Sequence, residues 1–599
     1  MTAKAAPSTP QETPPEWDLS DLYQGPDDPA TEQDLARAAE AATAFSTRHK
    51  GGLSLMGGGA LGAAIAEYET ISEQLGRISG YADLLFAANV GDDNVARFSQ
   101  TVRERITDIA SDVLFFTLEI NKIKGDVVTE QMKDPACARY APWLRQVRAF
   151  RAHQLGDDLE EMLHDKSVTG RMAWVRLFEE TITAMRFDVA GKELPIADTL
   201  DLLSDTDGAT RKAAAHALGE GLGGRIQLFS LVTNTLAKDK AIEDEKRRYK
   251  RPVSMRNLEN QVEDEVVDAL VSSVKTSYPA LSHRYYALKA GWFGSDRLDY
   301  WDRNAPVPGD DAARYTWGEA RTLVLDAYGA FAPDMAAVAE RFFDKRWIDA
   351  SLRPTKDSGA FSHPLVPSVH PYILMNYHGR ARDVMTLAHE LGHGVHQVLA
   401  AGQGALLADT PLTTAETASV FGEMLTFQSM LKGEDDPKRR RILIAGKVED
   451  MLNTVVRQIA FHDFDTRLHE ARKGGELTPA DIGDIWMAVQ GESLGPALRF
   501  DDAYRSFWAY IPHFLHTPFY VYAYAFGDCL VNSLYDVFQG GHPGFQAKYL
   551  DMLRAGGSLR HRSLLQPFGL DAADPAFWGR GLSVIGRFID ELEGLEGAK

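Results

Sequence analysis

Apolar residues recur along this chain mainly at intervals of three and four positions, which is the period of an α-helix with one buried face. The clearest stretch begins at Phe98 and ends at Ile120. Similar stretches extend from Gln227 to Asp244, from Val262 to Leu288 and from Ile442 to Phe464. The pattern therefore predicts a mainly α-helical fold that is built from long amphipathic helices.

One short segment instead has the features of a β-strand. Residues Tyr372–Tyr377 are apolar and aromatic, and the segment is bounded by His370-Pro371 and by His378-Gly379. Proline and glycine at these flanks interrupt regular structure. We therefore expect a small β-sheet at this position within the helical fold.

The chain divides into three predicted regions. Residues 1–16 are rich in Pro, Thr and Glu, lack the apolar core of a secretory signal, and are expected to form a disordered head. A turn-rich stretch near Thr206–Gly208 then separates an N-terminal helical region, 17–205, from a longer region, 206–599. The longer region carries the candidate catalytic residues described below.

The composition is typical of a globular protein, because 44% of the 599 residues are apolar and 25% are charged. A formal net charge of -21 repels phosphate backbones and argues against nucleic acid as a main partner. Cys137 and Cys529 are far apart in sequence, so no disulfide framework is expected. No apolar stretch reaches the ~18 residues of a membrane span, and we expect a cytoplasmic protein without a membrane partner.

The segment that is most informative about chemistry is His389–His393, with the sequence His-Glu-Leu-Gly-His. Residues four positions apart share a face of a helix, so His389 and His393 can bind the same metal ion. The intervening Glu390 can accept a proton from a water molecule beside that ion. Apolar residues between Val384 and Leu399 favour a helix for the whole segment.

A catalytic metal site of this type needs a third protein ligand. His396 lies seven positions after His389, about 10 Å along a helix, and is too distant to share the ion. Glu416 and Glu423 in the downstream helix are both candidates, and by the same argument only one of them is a ligand. Thr413 and Glu416 also have the spacing of a capping box, which would give Glu416 a purely structural role.

This constellation resembles the thimet-oligopeptidase superfamily of zinc peptidases, and in particular its oligoendopeptidase F branch. The resemblance covers most of the chain and is densest between Ser358 and Gly527. The segments that carry it are Trp17–Leu22, Ser358–Phe361, Pro371–Asn376, Asp383–Leu387, His389–His393 followed by His396-Gln397, Ala415–Glu423 and Ile511–His513.

The resemblance implies a large, two-lobed helical zincin with a small β-sheet beside the metal-binding helix. A deep central channel between the lobes would admit short unfolded peptides and exclude folded proteins. The strand at Tyr372–Tyr377 would lie beside the peptide and pair with its backbone.

The resemblance also implies which residues hold one zinc ion. The residue matching Glu416 is the third ligand in the family, beside His389 and His393. The residue matching Glu423 supports a ligand histidine, and Asp383 is a further candidate for that supporting role. Zinc is the default metal for two histidines and a carboxylate, although cobalt or manganese can occupy such sites.

A second segment, near the C-terminus, is implied to contact the substrate. Related peptidases use a histidine and tyrosines there to bind the peptide and stabilise the oxyanion, which suggests His513, Tyr524 and Tyr520 here. Tyr522 and His516 remain alternatives. If the segment is helical, Tyr520 and Tyr524 share a face and Tyr522 points elsewhere.

We therefore expect a zinc-dependent endopeptidase that hydrolyses short unstructured oligopeptides with a metal-activated water. Zinc would lower the pKa of its water toward about 7, and Glu390 would carry the proton to the leaving amine. One alternative is a metallocarboxypeptidase, which would need a cation to hold the free carboxylate of its substrate. Another is a non-catalytic peptide-binding protein with a structural metal.

Overall fold

The computed structural model describes residues 13–309 and 313–597. Most of the predicted head, 1–16, lies outside the described residues. Within the remainder of the head, the carbonyl oxygen of Pro15 accepts a hydrogen bond of 2.8 Å from the amide of Ala350. None of the helices among the described residues combines the length and apolarity that are needed to cross a bilayer.

The chain forms two compact units, and each unit combines three segments of the sequence. Unit 1 contains Met1–Arg151, Ala312–Gly433 and Gly541–Gly569. Unit 2 contains Ala152–Asp311, Glu434–Gly540 and Leu570–Lys599. The division into regions 17–205 and 206–599 follows the sequence order and stays a prediction.

The helices of unit 1 alternate with short loops. Its α-helices are Pro29–His49, Gly58–Ala88, Asp93–Lys122, Gly125–Gln131, Pro135–Ala138, Ala141–Arg148, Trp317–Phe331, Pro333–Asp344, Ala381–Ala400, Leu412–Ala415, Ser419–Lys432, Phe545–Arg554 and His561–Leu565. Its 3-10 helices are Leu53–Leu55, Ala401–Gln403, Gly556–Ser558 and Gln566–Phe568, and Ala149–His153 begins in unit 1 and ends in unit 2.

Unit 2 is also helical. Its α-helices are Asp157–Ser167, Arg171–Ala184, Ile196–Asp201, Gly208–Gly224, Ile226–Arg247, Ser254–Glu259, Asp264–Ser277, Ser282–Trp292, Pro437–Thr454, Val456–Arg472, Pro479–Leu494, His513–His516, Tyr522–Gln539 and Pro575–Gly597. Its 3-10 helices are Leu202–Ser204, Tyr278–Ala280, Tyr300–Asp302 and Asp502–Tyr510. Two short β-pairs complete it: Phe187–Val189 with Lys192–Leu194, and Leu298–Asp299 with Leu498–Arg499.

The mainly α-helical fold is confirmed, with two differences in detail. The stripe of apolar residues from Phe98 to Ile120 lies in one helix, Asp93–Lys122, as predicted. The predicted helix Val262–Leu288 is interrupted near Pro279, because proline has no amide hydrogen for the helix ladder. The predicted helix Ile442–Phe464 is interrupted at Val455, where φ is -99°.

The small sheet predicted beside the metal-binding helix is also confirmed. Its strand order is Ile348–Asp349, then Tyr372–Leu374, then Phe361–His363. The central strand is parallel to the first and antiparallel to the third. Because Tyr372–Leu374 is already paired on both sides, the expectation that this strand pairs with a bound peptide is wrong. The edge strand is Phe361–His363.

Helix Ala381–Ala400, here called the histidine helix, makes a very close backbone contact inside unit 1. A Cβ atom added at Gly392 would lie 2.4 Å from the carbonyl oxygen of Ala418 and 2.5 Å from the Cα of Ser419. Only glycine permits this approach of two backbones. The contact holds the segment that follows Glu416 directly against the histidine helix.

In unit 2, a buried carboxylate fixes the turn that precedes helix Tyr522–Gln539. Asp465 is 2% exposed, and its Oδ2 accepts a hydrogen bond of 2.8 Å from the amide of Phe519. Phe519 has a φ of +63°, a left-handed conformation that is costly for a bulky side chain. Burial raises the pKa of Asp465 to about 7, although the hydrogen bond from Phe519 opposes the rise.

We expect Gly392→Ala to lower the free energy of unfolding by about 1–3 kcal/mol, because the new methyl group must push two backbones apart. Urea unfolding monitored by circular dichroism measures the change. Gly402→Ala is the matched control, since a Cβ there would meet nothing within 4 Å. Equal losses of stability in the two variants would contradict the steric explanation.

The buried Asp465 predicts a specific pH dependence of stability. A pKa that is higher in the folded state means that the folded state holds more protons, so this group's contribution falls as pH rises from about 4 to 7. Asp465→Asn keeps an acceptor for Phe519 but cannot titrate. We therefore expect the melting temperature of the wild type, relative to that of the variant, to decrease between pH 5 and pH 8.

Two buried histidines of the same helix also affect the pH dependence of stability. Burial lowers the pKa of His462 to about 4 and of His469 to about 3, and these histidines contribute in the opposite direction as pH rises. Nε2 of His469 lies 3.6 Å from Oδ1 of Asp465, so its own titration changes when that carboxylate is replaced. The comparison is therefore repeated with His469→Gln in both proteins, which removes this coupled group. A difference in melting temperature that stays constant across pH would show that Asp465 keeps its ordinary pKa.

Candidate active site

The histidine helix begins with a capped first turn. Oδ2 of Asp383 accepts hydrogen bonds of 2.9 Å from the amides of His378 and Arg380. These amides have no partner of their own in the helix ladder, and a negative charge there also complements the helix dipole. The carboxylate of Asp383 thus stabilises the beginning of the helix, and its predicted support of a ligand histidine stays a prediction.

One turn of this helix places two imidazoles side by side. The ring centroids of His389 and His393 are 4.9 Å apart, with an angle of 78° between the ring planes. Oε2 of Glu416 lies 3.3 Å from Nε2 of His389 and 3.4 Å from Nε2 of His393. One ligand atom from each of the three residues lies within 4.8 Å of the other two. The structure therefore brings the three predicted ligands together.

The position of Glu416 excludes the capping-box interpretation. Thr413 lies inside the short helix Leu412–Ala415, and Glu416 is the residue at its C-terminal end. Its Oε2 also accepts a hydrogen bond of 2.6 Å from Oγ of Ser419. Although burial raises the pKa of Glu416, the hydrogen bonds with both histidines hold it well below its usual range. Glu416 is therefore an ionised carboxylate directed at the two imidazoles.

His396 is not part of this cluster, in agreement with its predicted distance from His389 along the helix. The side chain is buried, and its ring is hydrogen-bonded to the backbone of Ala415, the residue before Glu416. Burial lowers the pKa of His396 to about 4. Through this hydrogen bond, the neutral imidazole of His396 connects the histidine helix to the residue that precedes Glu416.

His389 lies between two carboxylates. Its Nε2 faces Glu416, and its Nδ1 lies 3.3 Å from Oε2 of Glu423. Burial lowers the pKa of His389, but the hydrogen bonds with Glu416 and Glu423 outweigh it and raise the pKa to about 10. Glu423 thus holds the ring nitrogen that is turned away from the three-residue cluster, which is the geometry predicted for a supporting residue.

Glu390 is 7% exposed and is held by the edge strand of the sheet. Its carboxylate accepts a hydrogen bond from the amide of Ser362. Burial raises its pKa, while the nearby His389 and His393 oppose the rise. A buried carboxylate with a raised pKa is suited to accept and release a proton near neutral pH.

Two residues that the sequence analysis did not assign, Ser362 and Gln397, fix that strand on the histidine helix. Oγ of Ser362 donates to Oε1 of Gln397 at 2.9 Å, and Nε2 of Gln397 donates to the carbonyl oxygen of Ser362 at 3.1 Å. Ser358–Phe361 ends one residue before Ser362, and Gln397 directly follows His396 in the same motif. The position of Ser362 and Gln397 beside these motifs is therefore the feature of the sequence by which they could have been found.

The second predicted group of residues lies in unit 2 and forms a cluster of its own. Oη of Tyr524 lies 3.4 Å from Nε2 of His513, and the rings of Tyr520 and Tyr524 are 5.3 Å apart. Tyr522 points away, is fully buried and accepts a hydrogen bond of 2.9 Å from Nδ2 of Asn260. The structure thus groups His513, Tyr520 and Tyr524 and separates Tyr522 from them, although Tyr520 lies in the turn before helix Tyr522–Gln539 and not in a helix.

His516 lies outside this cluster. Its Nε2 is 3.4 Å from Oε1 of Glu179, and its ring contacts the edge of Phe178 at a centroid distance of 6.1 Å. Burial lowers the pKa of His513, and the neighbouring His516 and Arg457 lower it further. The imidazole of His513 is therefore neutral near pH 7, with one nitrogen to donate a hydrogen bond and one to accept.

Comparison with known proteins shows that the chain is similar to peptidases that act on oligopeptides. The sequence model of peptidase family M3 matches residues 202–584, and that of oligopeptidase F matches residues 119–187. The oligopeptidase PepF of Bacillus subtilis is 25% identical, over 97% of this chain and 87% of the relative. An oligoendopeptidase F homolog of Lactococcus lactis subsp. lactis is 24% identical, over 97% of both chains.

Solved structures show the same fold. A crystal structure of a Chlamydophila abortus protein matches with a TM-score of 0.87 at 23% identity, over 97% of this chain and 98% of that chain. The oligoendopeptidase-F of Enterococcus faecium matches with a TM-score of 0.71 at 23% identity, over 95% of this chain and 99% of that chain. The family match spans well over half of the sequence. The chain therefore belongs to peptidase family M3, in its oligoendopeptidase F branch, and is a peptidase that acts on oligopeptides.

Proposed function

We propose that the protein is a zinc-dependent endopeptidase that cleaves internal bonds of short, unstructured oligopeptides. The observation that carries this proposal is the convergence of His389, His393 and Glu416, whose ligand atoms lie within 4.8 Å of one another. Two imidazole nitrogens and one carboxylate oxygen are the ligand set of many catalytic zinc sites, which leave a further position open. The donor set therefore fits a single zinc ion.

When bound, zinc supplies Lewis acidity, which lowers the pKa of a water molecule toward about 7 and polarises a carbonyl group. The residues of this chain perform the remaining steps. The carboxylate of Glu390 accepts a proton from the attacking water and then donates it to the nitrogen of the leaving amine. The hydrogen bond from the amide of Ser362 keeps this carboxylate oriented beside the two histidines.

Negative charge that develops on the carbonyl oxygen of the substrate requires hydrogen-bond donors. The hydroxyl groups of Tyr520 and Tyr524 and the imidazole of His513 are the donors that we propose for this purpose. Their rings lie within 6.2 Å of one another, so they form one preorganised group. The mutual contact of Tyr524 and His513 also orients the two polar atoms before substrate binds.

The role of Glu390 is tested by Glu390→Gln, which keeps the size of the side chain and removes its basicity. We expect kcat for an unstructured peptide of ten residues to fall about 10²- to 10⁴-fold, because general-base catalysis contributes that much. Mass spectrometry of the products identifies the bonds that are cleaved. Internal cuts by the wild type are expected.

Two controls accompany this experiment. Metal content is measured on both proteins, since the variant must retain its zinc, and Glu340→Gln changes a surface carboxylate of unit 1 as a matched substitution. Release of only one or two C-terminal residues would favour the carboxypeptidase instead. Absence of any cleavage by the zinc-loaded wild type would refute the enzymatic proposal.

The role of Glu423 is tested by Glu423→Gln. Residues that hold the second nitrogen of a ligand histidine raise its basicity, and their loss weakens metal binding about 10- to 100-fold. Competition with a chromophoric chelator measures the zinc affinity directly, without any need for turnover. Glu340→Gln serves again as the control, and an unchanged zinc affinity in Glu423→Gln would contradict a supporting role.

A further inference from the structure

Two arginine side chains, Arg303 and Arg457, form a cationic cluster inside unit 2 that the proposed mechanism does not use. Arg303 directly follows the 3-10 helix Tyr300–Asp302, and Arg457 lies in the first turn of helix Val456–Arg472. Both residues are half-buried. The ring of Tyr300, three residues before Arg303, lies 5.6 Å from that of Phe507, which lies 6.0 Å from the ring of Tyr510, the hydrogen-bond partner of Arg457. In agreement with this arrangement, each guanidinium acts electrostatically on Tyr286 and Tyr504.

The hydrogen bonds of these two side chains leave most of their donors free. Nη2 of Arg457 donates to Oη of Tyr510 at 3.4 Å, and its Nε is buried without an acceptor. Nε of Arg303 donates to Oδ1 of Asn304 at 3.3 Å. Within residues 13–309 and 313–597, neither guanidinium forms an ion pair. A guanidinium carries five N–H donors, so at least one face of each remains available.

The carboxylate that acts on Arg303 is already engaged elsewhere. Oε1 of Glu449 accepts hydrogen bonds of 2.6 Å from Nζ of Lys289 and from Oη of Tyr285. Nζ of Lys289 also donates to the carbonyl oxygen of Arg303 at 2.8 Å, which adds a third cation to the cluster. Burial lowers the pKa of Arg457, and the charge of Arg303 lowers it further. Because three cations, Arg303, Arg457 and Lys289, accompany the single carboxylate of Glu449, the cluster carries a net positive charge.

Other arginines of unit 2 are neutralised in the usual way. Arg467, in the same helix as Arg457, lies 2.9 Å from Oε1 of Glu492 and 2.7 Å from Oδ2 of Asp463. The buried Arg211 lies 2.7 Å from Oδ1 of Asp302. Withdrawing a charge from water without a partner is costly, so buried cations are normally paired. Arg303 and Arg457 are half-buried and have no carboxylate partner among the described residues, which leaves their charge available to an anionic ligand.

The cluster is next to the residues that the proposed function assigns to substrate. The guanidinium of Arg457 lies 5.0 Å from the ring of Phe461, and that ring is 5.5 Å from Phe514, the neighbour of His513. The charge of Arg457 also acts on His513 itself. A ligand held by Arg457 would therefore lie close to the cluster of His513, Tyr520 and Tyr524.

We propose that Arg303 and Arg457 form a binding site for a carboxylate group of the peptide substrate. This inference rests on the proposed function, because it names the substrate class that the same enzyme prefers. A carboxylate suits the site since its two oxygens accept parallel hydrogen bonds from guanidinium groups. Peptides offer this group in two places, at the free C-terminus and in the side chains of Asp and Glu.

Four versions of one ten-residue peptide separate these two sources. The parent has a free C-terminus and a single Glu, and the others carry a C-terminal amide, a Gln in place of Glu, or both changes. We expect the loss of the recognised carboxylate to raise KM about 10- to 100-fold, the range for charge-assisted hydrogen bonds. The version that shows this loss identifies which carboxylate is bound.

The variant Arg457→Met links this preference to the cluster. We expect it to bind all four peptides about equally, and its circular dichroism spectrum and zinc content show whether it is folded. Arg457→Lys should keep part of the preference. Arg467→Met is the matched control on the same helix and should keep the full preference.

Binding is measured in parallel by calorimetry on zinc-loaded Glu390→Gln, with and without Arg457→Met, so that the inference does not depend on turnover. Equal affinity of the Glu390→Gln protein for all four peptides would overturn the inference while leaving the endopeptidase proposal intact. A preference that survives in Arg457→Met would overturn it as well. Absence of cleavage by the wild type would refute the proposed function alone, since the binding measurement still decides between these outcomes.

Discussion

The contact of two backbones at Gly392 is the constraint on which the metal centre depends. A helix can present two imidazoles one turn apart on its own, but the third ligand must come from another segment. Glu416 reaches the imidazoles because the following residues, Ala418 and Ser419, pass within a distance of Gly392 that leaves no room for a side chain. Gly392 is thus more than a spacer between the histidines.

Carboxylate and imidazole side chains alternate in the metal centre beside this contact. Glu423 faces one nitrogen of His389, Glu416 faces the other, and Glu416 also faces His393. Oγ of Ser419 donates to the same carboxylate oxygen of Glu416. Each of these side chains therefore has at least one polar partner within the centre, which reduces the cost of an unsatisfied charge. Such a centre is preorganised, because its residues need little rearrangement to hold an ion.

Local patterns predicted the parts of the molecule that depend on local interactions. The helix with both histidines, the long helix Asp93–Lys122 and the separation of Tyr522 from Tyr524 follow from helical periodicity. The strand order did not follow, because Tyr372–Leu374 becomes a central strand only through pairing with Ile348–Asp349, which is too short to show an alternating pattern. Strand pairing of this kind is decided by tertiary contacts.

Sequence patterns also did not predict which arginines have a carboxylate partner. Arg303 and Arg457 are 154 positions apart, and nothing in their neighbours distinguishes them from Arg467, which has two carboxylate partners. Only the fold shows that Oε1 of Glu449 binds Lys289 and Tyr285, so that neither guanidinium has a carboxylate partner among the described residues. The metal centre satisfies its polar groups internally, whereas this cluster does not. In a peptidase, the simplest anion to pair with these two guanidinium groups is a carboxylate of the substrate.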